Sequence, residues 1–143
     1  MTVFLDTSTI LAACRSNRGL SRLLIDYAPK ADWRLVTADY CIDEVEKNVR
    51  KHPAGAVDWL GIVRARLESV GSVYVIDRPI VFDATKDRPV ILSAIGRDAD
   101  YLVTSDTTDF AHVLGTVFVS LSNASNRGLG ANRIAISRAP FAD

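Results

Sequence analysis

Four acidic residues stand where metal or phosphate chemistry would need them. Asp6 follows the apolar run Val3-Phe4-Leu5, and Asp106 follows Tyr101-Leu102-Val103-Thr104-Ser105; small polar residues come next in both, Thr7-Ser8-Thr9 and Thr107-Thr108. In an open parallel sheet, ligands collect beyond the carboxyl ends of the strands, so an acid directly after a strand is a first candidate. Asp87, in Lys86-Asp87-Arg88-Pro89, sits where a helix should begin, and Glu44 belongs to an acidic group with Asp43 and Glu46. Each also has an ordinary alternative: aspartates cap helices and close turns, and acidic groups on helices form solvated faces. Geometry ranks Glu44 ahead of its neighbours and leaves Glu46 open. Helical spacing stacks it with Cys41 and Asn48 beside the apolar stripe, at the edge of the core, while Glu46 flanks the other side.

Bringing four carboxylates together is unfavourable, since two charges about 5 Å apart at an effective dielectric near 20 repel by roughly 3 kcal/mol. A divalent cation removes that repulsion. An all-oxygen set favours Mg²⁺ or Mn²⁺ over Zn²⁺, which would take His and Cys; His52 and His112 are remote from the acids in sequence and read as surface residues. Such a cation lowers the pKa of a water and stabilises charge on a phosphoryl oxygen, which points to phosphodiester hydrolysis.

The elements that must position these acids alternate. Strands are expected near Val3 to Leu5, Arg34 to Ala38, Val73 to Ile76, Tyr101 to Thr104 and Val117 to Leu121, with amphipathic stretches between them, the pattern of a parallel α/β sheet. Val57, Leu60, Val63, Leu67 and Val70 recur at spacings of three and four and predict one long helix with a buried face. A helix over about Ile42 to His52 turns Ile42, Val45 and Val49 inward and ends at Pro53. Another begins near Asp87 with Pro89 in its first turn. Shorter helices are expected over Thr9 to Cys14 and Gly19 to Tyr27. From Ser122 onward Asn and Gly supply turn chemistry, and only Arg133 to Ser137 could pair as a strand there. No exposed apolar stripe marks a partner surface.

The chain has 143 residues, 48% of them apolar and 24% charged, which fits one domain with its own core. Residues 1–121 are read as that domain and 122–143 as an extension of it. Seventeen Lys and Arg balance seventeen Asp and Glu, so no global positive field exists and any polyanion contact must be local. Thirteen of those bases are Arg and fourteen of those acids Asp, types suited to phosphate and to hard cations. Arg15, Arg18 and Arg22, after the first strand, are the candidates to guide a phosphodiester. Cys14 and Cys41 are too few for a disulfide scaffold and too far apart for a CxxC pair. With no secretory or membrane-spanning run, a cytoplasmic protein is expected.

From Met1 to about Leu121 the chain resembles the PIN-domain nucleases. Four segments in the family's order carry the likeness: Val3-Phe4-Leu5-Asp6-Thr7-Ser8, Ile42-Asp43-Glu44-Val45, Lys86-Asp87-Arg88-Pro89-Val90-Ile91-Leu92-Ser93-Ala94-Ile95, and Ala99-Asp100-Tyr101-Leu102-Val103-Thr104-Ser105-Asp106. The resemblance implies a three-layer α/β/α sandwich around a mostly parallel sheet of about five strands, and a Mg²⁺- or Mn²⁺-dependent ribonuclease of the small, VapC-like toxin-antitoxin type. It implies Asp6, Glu44, Asp87 and Asp106 as the catalytic, metal-holding acids, with Ser8 and Thr104 in support. Asp109 stands a little further from Asp106 than the additional acid of the family. RNA is the implied substrate, and a cognate antitoxin and a second copy of the chain are the implied protein partners. Asp6 followed by Thr9 also resembles the nucleophile loop of haloacid-dehalogenase-like phosphatases. Ser8, however, stands where those enzymes carry a second acid. A third alternative is a non-catalytic binding module on the PIN fold, against which the presence of all four acids argues.

Overall fold

The first strand is the hydrophobic spine. β1 (Thr2–Leu5) is buried on both faces, and its side chains alternate between two separate cores, as central parallel strands require. Val3 and Leu5 enter one core; Phe4 enters the other. The computed structural model describes residues 1–76 and 88–105 and the backbone of 117–121 and 134–138.

Around β1 the sheet runs in the order β3-β2-β1-β4-β5-β6. β2 (Arg34–Ala38), β3 (Glu68–Val70) and β4 (Tyr101–Thr104) are parallel with β1, and Phe4 sits level with Val36 on one side and Leu102 on the other. β5 (Val117–Leu121) and β6 (Ile134–Arg138) continue the sheet antiparallel. Four strands are therefore paired in parallel, and β5 and β6 are added at one edge by antiparallel pairing. The expected strand at 117–121 is among the antiparallel pair, and the weakly patterned tail supplies the other.

Helices cover both faces. On one, α1 (Thr7–Arg15), α2 (Leu20–Tyr27), α3 (Asp39–Val49) and α4 (Pro53–Asp58) enclose Val3, Leu5, Leu35 and Val103 through Ile10, Leu24, Ile25, Val45 and Val49. On the other, α5 (Arg88–Gly96) presents Val90, Ile91, Ala94 and Ile95 to Phe4, Val36 and Leu102. This is the expected α/β/α sandwich. Fully buried side chains such as Phe4, Leu5 and Ile10 each contribute about 1.5–3 kcal/mol of apolar transfer.

Two expectations fail in whole or in part. The helix expected through Val57 and Val70 forms only in part: α4 runs on into a π-helical turn at Trp59–Val63 and a 3₁₀ turn at Arg64–Arg66, after which the chain enters β3. The wide turn resets the phase of the side chains. Gly55, Trp59 and Val63 therefore point inward, while Val57 and Leu60 are 71% and 78% exposed. The strand expected at Val73 to Ile76 is instead irregular chain outside the sheet, and the pairing with β2 is made earlier, at Glu68–Val70. An exposed apolar stripe also exists where none was read: Leu20, Leu23 and Tyr27 recur along α2.

Candidate functional site

β1 and β2 are joined in one direction and β4 is reached in the other, so the order of the strands reverses between β1 and β4. A crevice opens at such a switch, beyond the carboxyl ends of the two strands. Asp6 and Thr104 occupy that place. The Asp6 amide donates to the Val103 carbonyl at 3.0 Å, which fixes the Asp6 backbone against the end of β4.

By its backbone Asp6 is the N-cap of α1, yet its side chain makes no cap hydrogen bond. The carboxylate turns instead to hydroxyls: Ser8 Oγ and Thr104 Oγ1 each donate to Asp6 Oδ2 at 2.8 Å. Ser8 Oγ lies 3.2 Å from Thr104 Oγ1 and accepts the Ser105 amide at 3.0 Å. Thr9 Oγ1 donates to the Val103 carbonyl at 3.1 Å. Asp6 is 8% exposed, and burial pushes its carboxyl above the usual range; the Ser8 and Thr104 bonds oppose that, and the Glu44 charge adds to it. A carboxylate disfavoured by burial and by a second carboxylate is one that a cation would stabilise.

Glu44 reaches the same edge from α3. Its two oxygens are held separately, Oε2 by Thr7 Oγ1 at 2.9 Å and Oε1 by Tyr40 Oη at 3.2 Å. Asn48 Nδ2 donates to the Glu44 carbonyl at 2.8 Å. Asp43 and Glu46, by contrast, are exposed, in line with the rank that helical spacing gives the three acids. Thr7 and Tyr40 were not among the expected site residues. Tyr40 precedes Glu44 by one helical turn, a spacing that places side chains together on a helix and could have revealed it.

Asp87, Asp106 and Asp109 lie outside the described residues. Glu44 is linked to the Asp6 end of β1 through Thr7, and its charge acts on Asp6; among the described residues no group of three or more ligating side chains forms. Asp6, Glu44 and the hydroxyls that bond them offer oxygen donors, the kind that suits Mg²⁺ or Mn²⁺. Arg15 and Arg18 are exposed, as residues that guide a polyanion must be. Arg22 is not: its side chain is 7% exposed and bonds Asp58 at 3.0 Å and Asp26 at 3.2 Å, tying α2 to α4. It holds the fold rather than a substrate. His52 is exposed, as expected, and Cys14 and Cys41 are both buried free thiols. Among the described residues no helix is long and apolar enough to cross a membrane.

No curated protein and no solved structure gives a significant match to the chain. A family model described as a PIN domain matches residues 2–108, a span that includes both assembled acids and all four parallel strands. PIN domains are typically nucleases that hydrolyse phosphodiester bonds and usually use divalent metal ions such as Mg²⁺. The chain belongs to the PIN-domain family.

Proposed function

We propose that the chain is a Mg²⁺- or Mn²⁺-dependent endoribonuclease of the cytoplasm, acting as the toxin of a toxin-antitoxin pair. The observation that carries the nuclease reading is a buried carboxylate, Asp6, at the switch point of the sheet, within electrostatic reach of Glu44. Asp6 and Glu44, with Asp87 and Asp106, would hold the cation. When bound, it supplies Lewis acidity toward a phosphoryl oxygen and acidifies a water.

The other residues keep those acids in place. Ser8 and Thr104 both engage Asp6 Oδ2, so the carboxylate cannot rotate without losing two hydrogen bonds. Thr7 and Tyr40 grip Glu44 from either oxygen and bring it toward β1. Arg15 and Arg18 would guide the phosphodiester chain. The toxin reading is supported by the apolar stripe Leu20, Leu23 and Tyr27, which offers an antitoxin or a second copy a helix face to cover.

The test is Mn²⁺-dependent cleavage of RNA by the parent, Asp6→Asn and Glu44→Gln, with melting temperature followed in the same buffers. Cleavage and a Mn²⁺-induced rise in melting temperature are expected of the parent, and both should be lost in Asp6→Asn. Undiminished cleavage by Asp6→Asn overturns the nuclease site. Growth arrest on expression, relieved by Asp6→Asn, tests the toxin role.

A further inference from the structure

β1 pairs with β2 as far as Phe4 and Val36, and with β4 one residue further, as far as Leu5 and Val103. The Leu5 carbonyl lies past the last β2 pair, and a side chain takes it up: Thr37 Oγ1, on β2, donates to it at 2.8 Å. Leu5 and Thr37 are both fully buried, so no solvent stands in for that donor. Valine would fill the same space without a polar group to desolvate, so the hydroxyl is explained by the carbonyl it serves.

The consequence falls on the next residue. The peptide group between Leu5 and Asp6 is a rigid plane that carries the Leu5 carbonyl, the Asp6 amide and the Asp6 Cα. Its carbonyl is tied to β2 through Thr37, and its amide to β4 through the Val103 carbonyl at 3.0 Å. Held at both ends by strands on opposite sides, the plane cannot turn without breaking a hydrogen bond. The point from which the Asp6 side chain departs is thereby fixed. The Asp6 carbonyl accepts the Ile10 amide at 3.1 Å, which holds the following plane as well. Thr37 also stands two residues before α3, the helix that carries Glu44. One hydroxyl thus joins the strand end that leads to Asp6 to the strand end that leads to Glu44.

We propose that Thr37 is a positioning residue for the candidate site: by holding the Leu5–Asp6 peptide against β2, it sets Asp6 at the spacing from Glu44 that a shared divalent cation needs. This role rests on the nuclease reading above. It gives β2, which contributes no acid of its own, a part in cation binding.

The test is Mn²⁺ binding, followed by electron paramagnetic resonance well below the melting temperature, in the parent, Thr37→Val, Thr37→Ser and Ser93→Ala. Ser93 controls for a buried hydroxyl lost away from the site, since its Oγ accepts the Val73 amide at 2.9 Å. Thr37→Val should bind Mn²⁺ about ten-fold more weakly, the order expected when a group that orients a ligand is removed. Thr37→Ser should restore the affinity, and Ser93→Ala should bind as the parent does. If Thr37→Val binds like a parent that cleaves RNA, or if Thr37→Ser is as weak as Thr37→Val, the positioning role is overturned and the nuclease reading stands. An equal loss in Ser93→Ala overturns it too, as an effect of general stability. Amide exchange at Asp6 in the parent requires no variant to fold: protection like that of Phe4 is expected, and exchange at the rate of an open turn overturns the role. If the parent neither binds Mn²⁺ nor cleaves RNA, the nuclease reading fails and the role of Thr37 falls with it.

Discussion

The centre of the sheet and its β3 flank use side chains in opposite ways. Between β1 and β4 a regular ladder carries the backbone, and the hydroxyls of Ser8 and Thr104 bond a carboxylate, Ser8 also accepting the Ser105 amide just past the ladder. Past β3 the ladder stops; Ser93 and Arg97 serve the backbone of Val73 and Gly71, and Ser72 accepts the Tyr40 amide. A hydroxyl removed at the centre therefore alters chemistry first, whereas one removed at the flank alters shape first.

Asp6→Asn presses hardest on this contrast. Cleavage should fall at least about 100-fold, since even supporting residues around a metal typically matter 10–100-fold. In metal-free buffer near neutral pH the same variant should melt above the parent, because burial disfavours the charge that it removes. Slower cleavage together with lower metal-free stability would break the distinction between the two regions.

Thr104→Val should reduce cleavage about 10-fold and destabilise by about 1 kcal/mol, since a buried donor to Asp6 is lost while the shape is kept. Ser93→Ala should do the reverse. It removes the partner of the Val73 amide, so about 1–2 kcal/mol of stability goes and amide exchange at Val73 quickens, with cleavage changed less than in Thr104→Val. Equal losses of cleavage in the two variants would erase the comparison.

The smallest effect concerns Cys14, whose thiol burial pushes up to about 11 from its ordinary 9.0. An unfolded chain ionises this thiol near 9 while the folded chain keeps it protonated, so folded stability should drift downward between pH 9 and 11. Replacing Cys14 with Ala should flatten that drift in melting temperature. Alkylation of Cys14 in the native protein should also be slow at pH 8.

Much of this arrangement was legible in the residues. Short β-branched runs located β1, β2, β4 and β5; β1, β2 and β4 are buried strands, which need little else to identify them. Spacing on α3 ranked Glu44 ahead of Asp43 and Glu46, and the structure leaves those two exposed and Glu44 half-buried. What failed did so for physical reasons. The Val57 to Val70 pattern fits an unbroken α-helix, and nothing local announces that a π-helical turn will bury Trp59 and leave Leu60 outside. Val73-Tyr74-Val75-Ile76 has strand composition, but Ser93 and Arg97, some twenty residues downstream, hold it away from the ladder. Arg22 looked free to meet a phosphate because Asp58, its partner from another helix, is 36 residues distant in sequence.

The border of the sheet at β3 resists the addition of a further strand. That strand is three residues long, and its Glu68 is clasped by Arg34 of β2, Nε to Oε2 at 2.6 Å with Nη2 on Oε1. A short rim bearing a charged clasp offers an incoming strand few open amides and a desolvation penalty. Crowded samples of the native protein should therefore stay clear of strand-on-strand growth at this side, and turbidity should arise only under conditions that unfold the chain.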